Sequence, residues 1–360
     1  MKLLVTGASG FLGRHVVSAA LSRGHEVRAA VRTSRDTQQL YWASDSRVEL
    51  ARIDLRSRRG LVEALAGIDA VIHTAAAKSG DLFAQLAGTV LATENLIAAM
   101  NEAGVNRIVG VSSFSVYDYT RLWAHSKLDE SAKVICENAF TRDDYAQTKL
   151  LQEQLILEQQ EKSGWRVTIV RPGVIYGRDN VWTARLGACG AGQTWIRIGM
   201  WAQLPLVYVE NCAEALVLAA ESKDAIGQIF NCVDDNPPRQ HQYAKAIRKR
   251  LTAKPSRVIF IPWRAVWLLG WCAMFINSTI FKGRAKLPSV LVPDRLEARF
   301  KPLKFDNHKI KTTIGWSSRY SLGEALDRIF AGVPPLPMEE MQRNAPESDT
   351  TRVPVTVAQP

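Results

Sequence analysis

The sequence is poor in the features that would assign its class at once. Its five cysteines (Cys136, Cys189, Cys212, Cys232, Cys272) are odd in number, widely spread and never in CxxC spacing. Neither a disulfide framework nor a zinc site is thereby indicated. Five reduced thiols in a cytosolic compartment are the expectation. Met1–Leu4 runs straight into a strand and a glycine turn with no cleavable apolar core, so no signal peptide is expected. Internal repeats and recognisable nucleic-acid modules are lacking too, and no nucleic-acid partner is expected. With 47% apolar and 22% charged residues, the chain is neither disordered nor fibrous. Its 46 Lys and Arg against 35 Asp and Glu give a net charge of +11. This excess is read as diffuse, with clusters at Arg56/Arg58/Arg59, Arg248/Lys249/Arg250 and Lys282/Arg284/Lys286. Solvated surface is the plain reading; an anionic cofactor or lipid headgroups are the alternatives.

The first 170 residues alternate β-branched runs with helical stretches. Strands are predicted at 2–6, 26–31, 48–53, 70–74, 107–111 and 167–171, and helices at 12–23, 58–66, 86–103 and 144–162. Such alternation implies βαβ units and a doubly wound parallel α/β sheet, with ligands at the carboxyl ends of the strands. Residues 1–177 are predicted to form a dinucleotide-binding Rossmann domain to which 206–233 returns. Residues 178–205 and 234–330 would form a smaller, mostly helical substrate lobe, and 331–360 a disordered tail.

The N-terminus reads Thr6-Gly7-Ala8-Ser9-Gly10-Phe11-Leu12-Gly13. Here Gly7 permits a tight turn, Gly10 lets backbone approach a pyrophosphate, and Gly13 lets the helix pack close. The helix N-terminus then faces the phosphates with its N–H groups. The second strand ends Ala29-Ala30-Val31-Arg32, with no acid before Asp36. An acid there would take the 2′-OH of NAD; arginine suits the 2′-phosphate of NADP. NADP is therefore expected, with NAD possible. Asp54 and Leu55 are placed beside the adenine. Thr74, Ala75 and Ala76 supply small residues near the cofactor backbone.

Tyr145 and Lys149 lie four apart near the start of a helix and so share a face. A nearby ammonium is expected to lower the phenol below its usual value near pH ~10, fitting Tyr145 to exchange a proton with a carbonyl or hydroxyl. Lys149 can also reach the nicotinamide ribose. Ser113, after the fifth strand, is chosen to hold the substrate oxygen, with Ser115 as a second contact.

At this point the chain resembles an extended short-chain dehydrogenase/reductase. The glycine turn, Ser112-Ser113-Phe114-Ser115-Val116-Tyr117, Tyr145 to Lys149, Arg171-Pro172-Gly173-Val174-Ile175-Tyr176-Gly177 and Val207-Tyr208-Val209-Glu210-Asn211 follow in the family's order. The resemblance covers roughly residues 1–330 and is nearest the 3β-hydroxysteroid dehydrogenase and dihydroflavonol reductase branch. It implies a Ser113, Tyr145, Lys149 triad with Tyr145 as acid/base, Pro172 beside the cofactor, and homodimerisation through helices near 86–103 and 144–162. Where the family's helix carries Asn, this chain has Thr89, which puts that residue's structural role in question.

Ala265–Phe281 is an uncharged run of 17 residues in which Trp263, Trp267 and Trp271 recur every four positions. It reads as a buried or substrate-lining helix, as a helix lying in a membrane interface through 263–286, or as a short spanning segment. Localisation is expected to be cytoplasmic, with membrane association open. Three functions compete. The first is an NADP-dependent oxidoreductase interconverting a ketone and a secondary alcohol on a hydrophobic, sterol-like or long-chain substrate. The second is a nucleotide-sugar epimerase or dehydratase holding NAD, with Arg178, Arg185 and Arg197 on the diphosphate. The third is a non-enzymatic dinucleotide sensor.

Overall fold

The computed structural model describes residues 1–32, 40–135, 143–190, 194–251, 257–280, 282, 284 and 291–334. Thr33, Ser34, Arg35, Asp36, Cys136, Phe281, Lys286 and the proposed tail from Pro335 lie outside the described residues.

Seven strands form one parallel sheet: β1 (Lys2–Thr6), β2 (Glu26–Val31), β3 (Val48–Arg52), β4 (Ala70–His73), β5 (Arg107–Val111), β6 (Arg166–Pro172) and β7 (Ile229–Cys232). Their order is β3-β2-β1-β4-β5-β6-β7. The order in which strands are added reverses between β1 and β4, where Thr6 lies opposite His73 and, on its other side, opposite Ala30. The crevice at such a switch point is where open α/β sheets bind ligands.

Alternation along each strand feeds two cores. Leu3 and Val5 join one cluster with α1 (Gly13–Ser22) and α4 (Val209–Glu221), through Val16, Val17 and Leu216. Leu4 points the other way and packs with Leu96 of α2 (Ala92–Ala103) and Ile156 of α3 (Asp144–Ser163). The sheet is thus covered on both faces, as near-continuous apolar strands require.

Three expectations need correction. Residues 58–66 form only a 3-10 turn at Glu63–Leu65. Gly60 and Gly67 flank it with φ of +76° and +71°, backbone outside the right-handed helical region. Within 206–233, α4 packs on α1 and β7 joins the sheet. Leu206–Tyr208, however, pairs with Val174–Tyr176 in a sheet of two strands. The helix ahead of α2 starts at Leu82 and passes through a π turn at Leu86–Leu91.

That π turn presses Thr89 against the loop after β4. Its hydroxyl accepts from the Ala77 N–H at 3.0 Å, so threonine fills a structural role at the position where the family has Asn. Gly88 makes the approach possible, since a Cβ there would come within 2.8 Å of the Ala77 side chain.

The C-terminal region holds helices at Gln240–Arg250, Trp263–Thr279, Pro293–Phe300, His308–Ile314 and Leu322–Ala331. Strand Arg257–Ile261 pairs with Thr194–Ile198. Among the described residues, one helix, Leu82–Ala103, is long and apolar enough to cross a membrane, and it carries core residues of the sheet's second face.

Candidate active site

Parallel strands end on one edge, and that edge gathers the residues singled out from the sequence. The turn after β1 is tight because Gly7 has φ +65°, and a Cβ there would sit 3.0 Å from the Ala75 Cα. On Gly13 a Cβ would run into the Gly7 carbonyl oxygen, so only glycine lets α1 start this close to the strand. Gly10 N–H donates to Gly7 O at 2.9 Å. The backbone of Ser9, Gly10, Phe11 and Leu12 therefore winds around the N-terminus of α1, whose first turn carries no acid. This is a cradle of suitable shape and polarity for a dinucleotide pyrophosphate. The Leu12 side chain is buried in the core, leaving only its backbone for the cradle.

Thr74 and Ala75 back the turn directly, the Thr74 hydroxyl donating to Thr6 O at 2.6 Å. Ala76 follows them along the same loop and is half-buried. At the far end, exposed Arg32 lies close enough to Asp54 to help hold its carboxyl below the usual range, after the larger effect of hydrogen bonds from Arg56. The Leu55 side chain is buried in the same core cluster as Leu61 and Leu96.

Helix α3 begins at Asp143, whose carboxylate accepts from the Ala146 N–H at 2.7 Å and caps it. Tyr145 and Lys149 then project toward the end of β5. Ser113 follows β5; its hydroxyl accepts from the Ser115 N–H at 3.1 Å and also hydrogen-bonds the Tyr145 phenol. The expected lowering of that phenol does not occur here. Burial raises the Tyr145 pKa, the Ser113 hydrogen bond works against it, and the Asp143 charge adds to it. Lys149 is turned away: its ammonium donates to the Val111 carbonyl and to Gln152 Oε1.

Lys149 itself is pushed down to about 7, first by burial, with Glu153 opposing and Lys78 assisting. The sign of the consequence follows. The unfolded chain keeps this proton up to about 10.5, while the folded chain releases it near 7, so stability rises with pH between those values. Urea denaturation of cofactor-free protein should show wild type gaining on Lys149→Met as pH rises from about 6.5 to about 9. A constant gap would mean that Lys149 titrates normally.

Gln152 belongs to a buried chain of hydrogen bonds that sequence reasoning missed. Its Nε2 reaches Thr93 Oγ1 at 2.9 Å and His73 Nε2 at 3.0 Å, while His73 Nδ1 meets Thr6 Oγ1 at 2.7 Å. Burial lowers His73 to about 3, so it stays neutral. The chain ties Lys149 to the strands on both sides of the switch point. The sequence signal was a lone His closing an apolar strand, and Gln152 one turn beyond Lys149. The next residue, Glu153, forms a buried ion pair with Arg171 of β6, with Arg171 Nε to Glu153 Oε2 at 3.1 Å. Buried Pro172 follows.

In front of Ser113 lies a cavity of about 170 Å³ that opens to solvent. Phe114, Val174, Pro205 and Ala298 give it apolar walls, while Arg185, Arg295 and Arg299 line another side. The Ser115 hydroxyl borders it, buried and without a hydrogen-bond partner among the described residues. Arg295 and Arg299 come from helix 293–300 and were not foreseen. Arg197 stays out of the cavity, bound to Gln240 Oε1 at 3.1 Å and stacked on Trp195. Among the described residues no group of His, Cys, Asp and Glu could hold a metal.

A switch-point crevice, a glycine cradle and a cavity lined by Ser113, whose hydroxyl meets the Tyr145 phenol, together define a Rossmann-fold, nucleotide-dependent enzyme. The family profile described as NAD dependent epimerase/dehydratase family matches residues 3–232, and the chain belongs to that family. It is an NAD(P)-dependent oxidoreductase of the extended short-chain dehydrogenase/reductase branch, which sets aside the non-enzymatic reading. A ketoreductase of 4-hydroxy-2-methyl-3-oxo-4-farnesyl-3,4-dihydroquinoline-1-oxide from Stigmatella aurantiaca is 30% identical over 340 residues, 91% of this chain and 96% of its own. A sterol-4-alpha-carboxylate 3-dehydrogenase, decarboxylating, of Mus musculus is 26% identical, covering 91% and 89%. The fold is shared with a UDP-glucuronic acid 4-epimerase from Bacillus cereus solved with NAD, at TM-score 0.67 and 20% identity, covering 91% of this chain and 98% of that one.

Proposed function

We propose that the protein is an NADP-dependent reductase and dehydrogenase interconverting a ketone and a secondary alcohol on a hydrophobic substrate. The observation that carries this is Ser113, which lines a cavity with apolar walls and whose hydroxyl is hydrogen-bonded to the Tyr145 phenol. The bound dinucleotide supplies or takes up a hydride. Ser113 holds the substrate oxygen, with Ser115 beside it; Tyr145 gives that oxygen a proton in reduction and removes one in oxidation. Gly7, Ser9, Gly10, Phe11, Leu12 and Gly13 hold the pyrophosphate, Pro172 and Lys149 border the nicotinamide end, and Arg32 takes the 2′-phosphate. The named relatives support an apolar substrate, and the cavity arginines suit an acidic substituent on such a skeleton. Association of two copies through the helices near 86–103 and 144–162 is part of the same reading.

Arg32→Ala should lower kcat/KM with NADPH by about 10- to 100-fold, the loss of one charge-assisted phosphate contact, and leave the NADH value nearly unchanged. Equal effects on both cofactors, or a wild-type preference for NADH, would overturn the NADP assignment.

The arginine wall is also what a nucleotide-sugar diphosphate needs, and that observation sustains the second reading, an epimerase or dehydratase. Arg185 alone of the three arginines first assigned to it lines the cavity. NAD that co-purifies, together with a melting temperature raised by a UDP-sugar, would reverse the ranking.

A further inference from the structure

The positive charge proves to be concentrated. Residues 236–293 hold eleven of the 46 Lys and Arg and none of the 35 Asp and Glu, so the rest of the chain is neutral. This whole excess sits in the segment that also carries the most exposed apolar helix. In helix 263–279 only Val266 and Gly270 are buried, against Leu296 and Phe300 of helix 293–300. The buried-helix reading is therefore corrected. Leu268, Leu269, Phe275 and Ile280 are 60 to 70% exposed, with Trp271 and Ile276 beside them. Spacing of three, four and seven puts Leu268, Trp271 and Phe275 on one stripe.

The tryptophan row runs along the margin of that stripe. Trp263 and Trp267 are half-buried, Trp267 donating to Glu297 Oε1 at 3.1 Å, and Trp271 reaches solvent. Arg264 stands near one end of the helix, and Lys282 and Arg284 stand past the other. Apolar stripe, marginal tryptophans and terminal cations are what a helix lying in a bilayer interface needs. Seventeen residues rise about 25 Å, short of a hydrocarbon core of about 30 Å, so the helix lies in the interface.

We infer that this helix face docks on an anionic phospholipid surface. Occupancy by lipid, in preference to a second protein, follows from the charge: a surface of anionic headgroups meets cations at both ends of the helix, whereas a second copy would bring the same positive segment against it. Helix 293–300 lies between the docked helix and the cavity, packing Leu296 and Phe300 against the former and lining the latter with Arg295, Ala298 and Arg299. An apolar substrate leaving the lipid would then reach Ser113 past helix 293–300. The docking itself stands apart from the substrate reading and is measured without turnover.

The test is flotation of the full-length protein with vesicles of phosphatidylcholine alone, or with about one third phosphatidylglycerol. Wild type should bind the anionic vesicles at least about tenfold better than the neutral ones, and salt should weaken the binding. Leu268→Glu with Phe275→Glu should lower partition about tenfold or more, and so should Lys282→Glu with Arg284→Glu. Melting temperature and NADPH affinity should match wild type in both variants. No binding, or equal binding to both vesicle types, would overturn the proposal. So would a wild-type dimer that Phe275→Glu converts to monomer without any vesicle binding, which would make the face a contact between copies.

Discussion

Replacing Tyr145 by Phe should reduce turnover by about 10²- to 10⁴-fold, the usual contribution of a positioned proton donor. The phenol is the group that Ser113, on the cavity wall, hydrogen-bonds, and removing its oxygen deletes the proposed proton path while leaving the ring's packing. Dinucleotide affinity should change little, because the cradle around Gly7 and Gly13 does not depend on that hydroxyl. Burial raises this phenol in the cofactor-free protein, so the alcohol-oxidising direction should favour alkaline pH. Steady-state kinetics in both directions, with fluorescence titration of NADPH, check all three. Full activity in the Phe variant would remove Tyr145 from the chemistry.

The second large effect is on stability. Glu153→Ala should cost about 3–5 kcal/mol, because Arg171 would remain charged in a site where both side chains are at most 5% exposed. Burial works against the Arg171 charge; the carboxylate holds it in place. The same carboxylate raises Lys149, so its loss should push that ammonium below about 7. Replacing both partners by apolar residues of similar volume should recover much of the stability, since no unpaired charge is left. Urea unfolding of the two variants measures this; a Glu153→Ala loss under about 1 kcal/mol would mean that water reaches Arg171.

Much of the site was legible because it is local. Strand, glycine turn and helix over 2–22 rest on backbone needs within a dozen residues, and so does the YxxxK face of α3. The end of β2 showed Arg32 for the same reason. One misreading is local, and the others are where distant groups meet. Residues 58–66 have an apolar, helix-like composition, but Gly60 and Gly67 break them into a short turn. The tryptophan spacing of 263–271 gave a shared face, yet what covers that face depends on helix 293–300. Arg295 and Arg299 reach the cavity from some 180 residues beyond Ser113, a distance no motif bridges.

The sign of the Tyr145 shift shows the division most directly. Spacing placed an ammonium and a phenol on one helix face, from which a lowered phenol followed. The tertiary structure decided otherwise by bringing Val111 O and the Gln152 side chain to the ammonium and by drying the phenol. By itself the sequence determined the sheet, the nucleotide cradle and the family, since these follow from short-range conformational demands of glycine, proline and alternating apolar residues. Which charges are desolvated, which cations face the substrate and which apolar helix stays uncovered were decided only in three dimensions. Burial and Coulomb energies depend on distance through space, and distance along the chain does not set it.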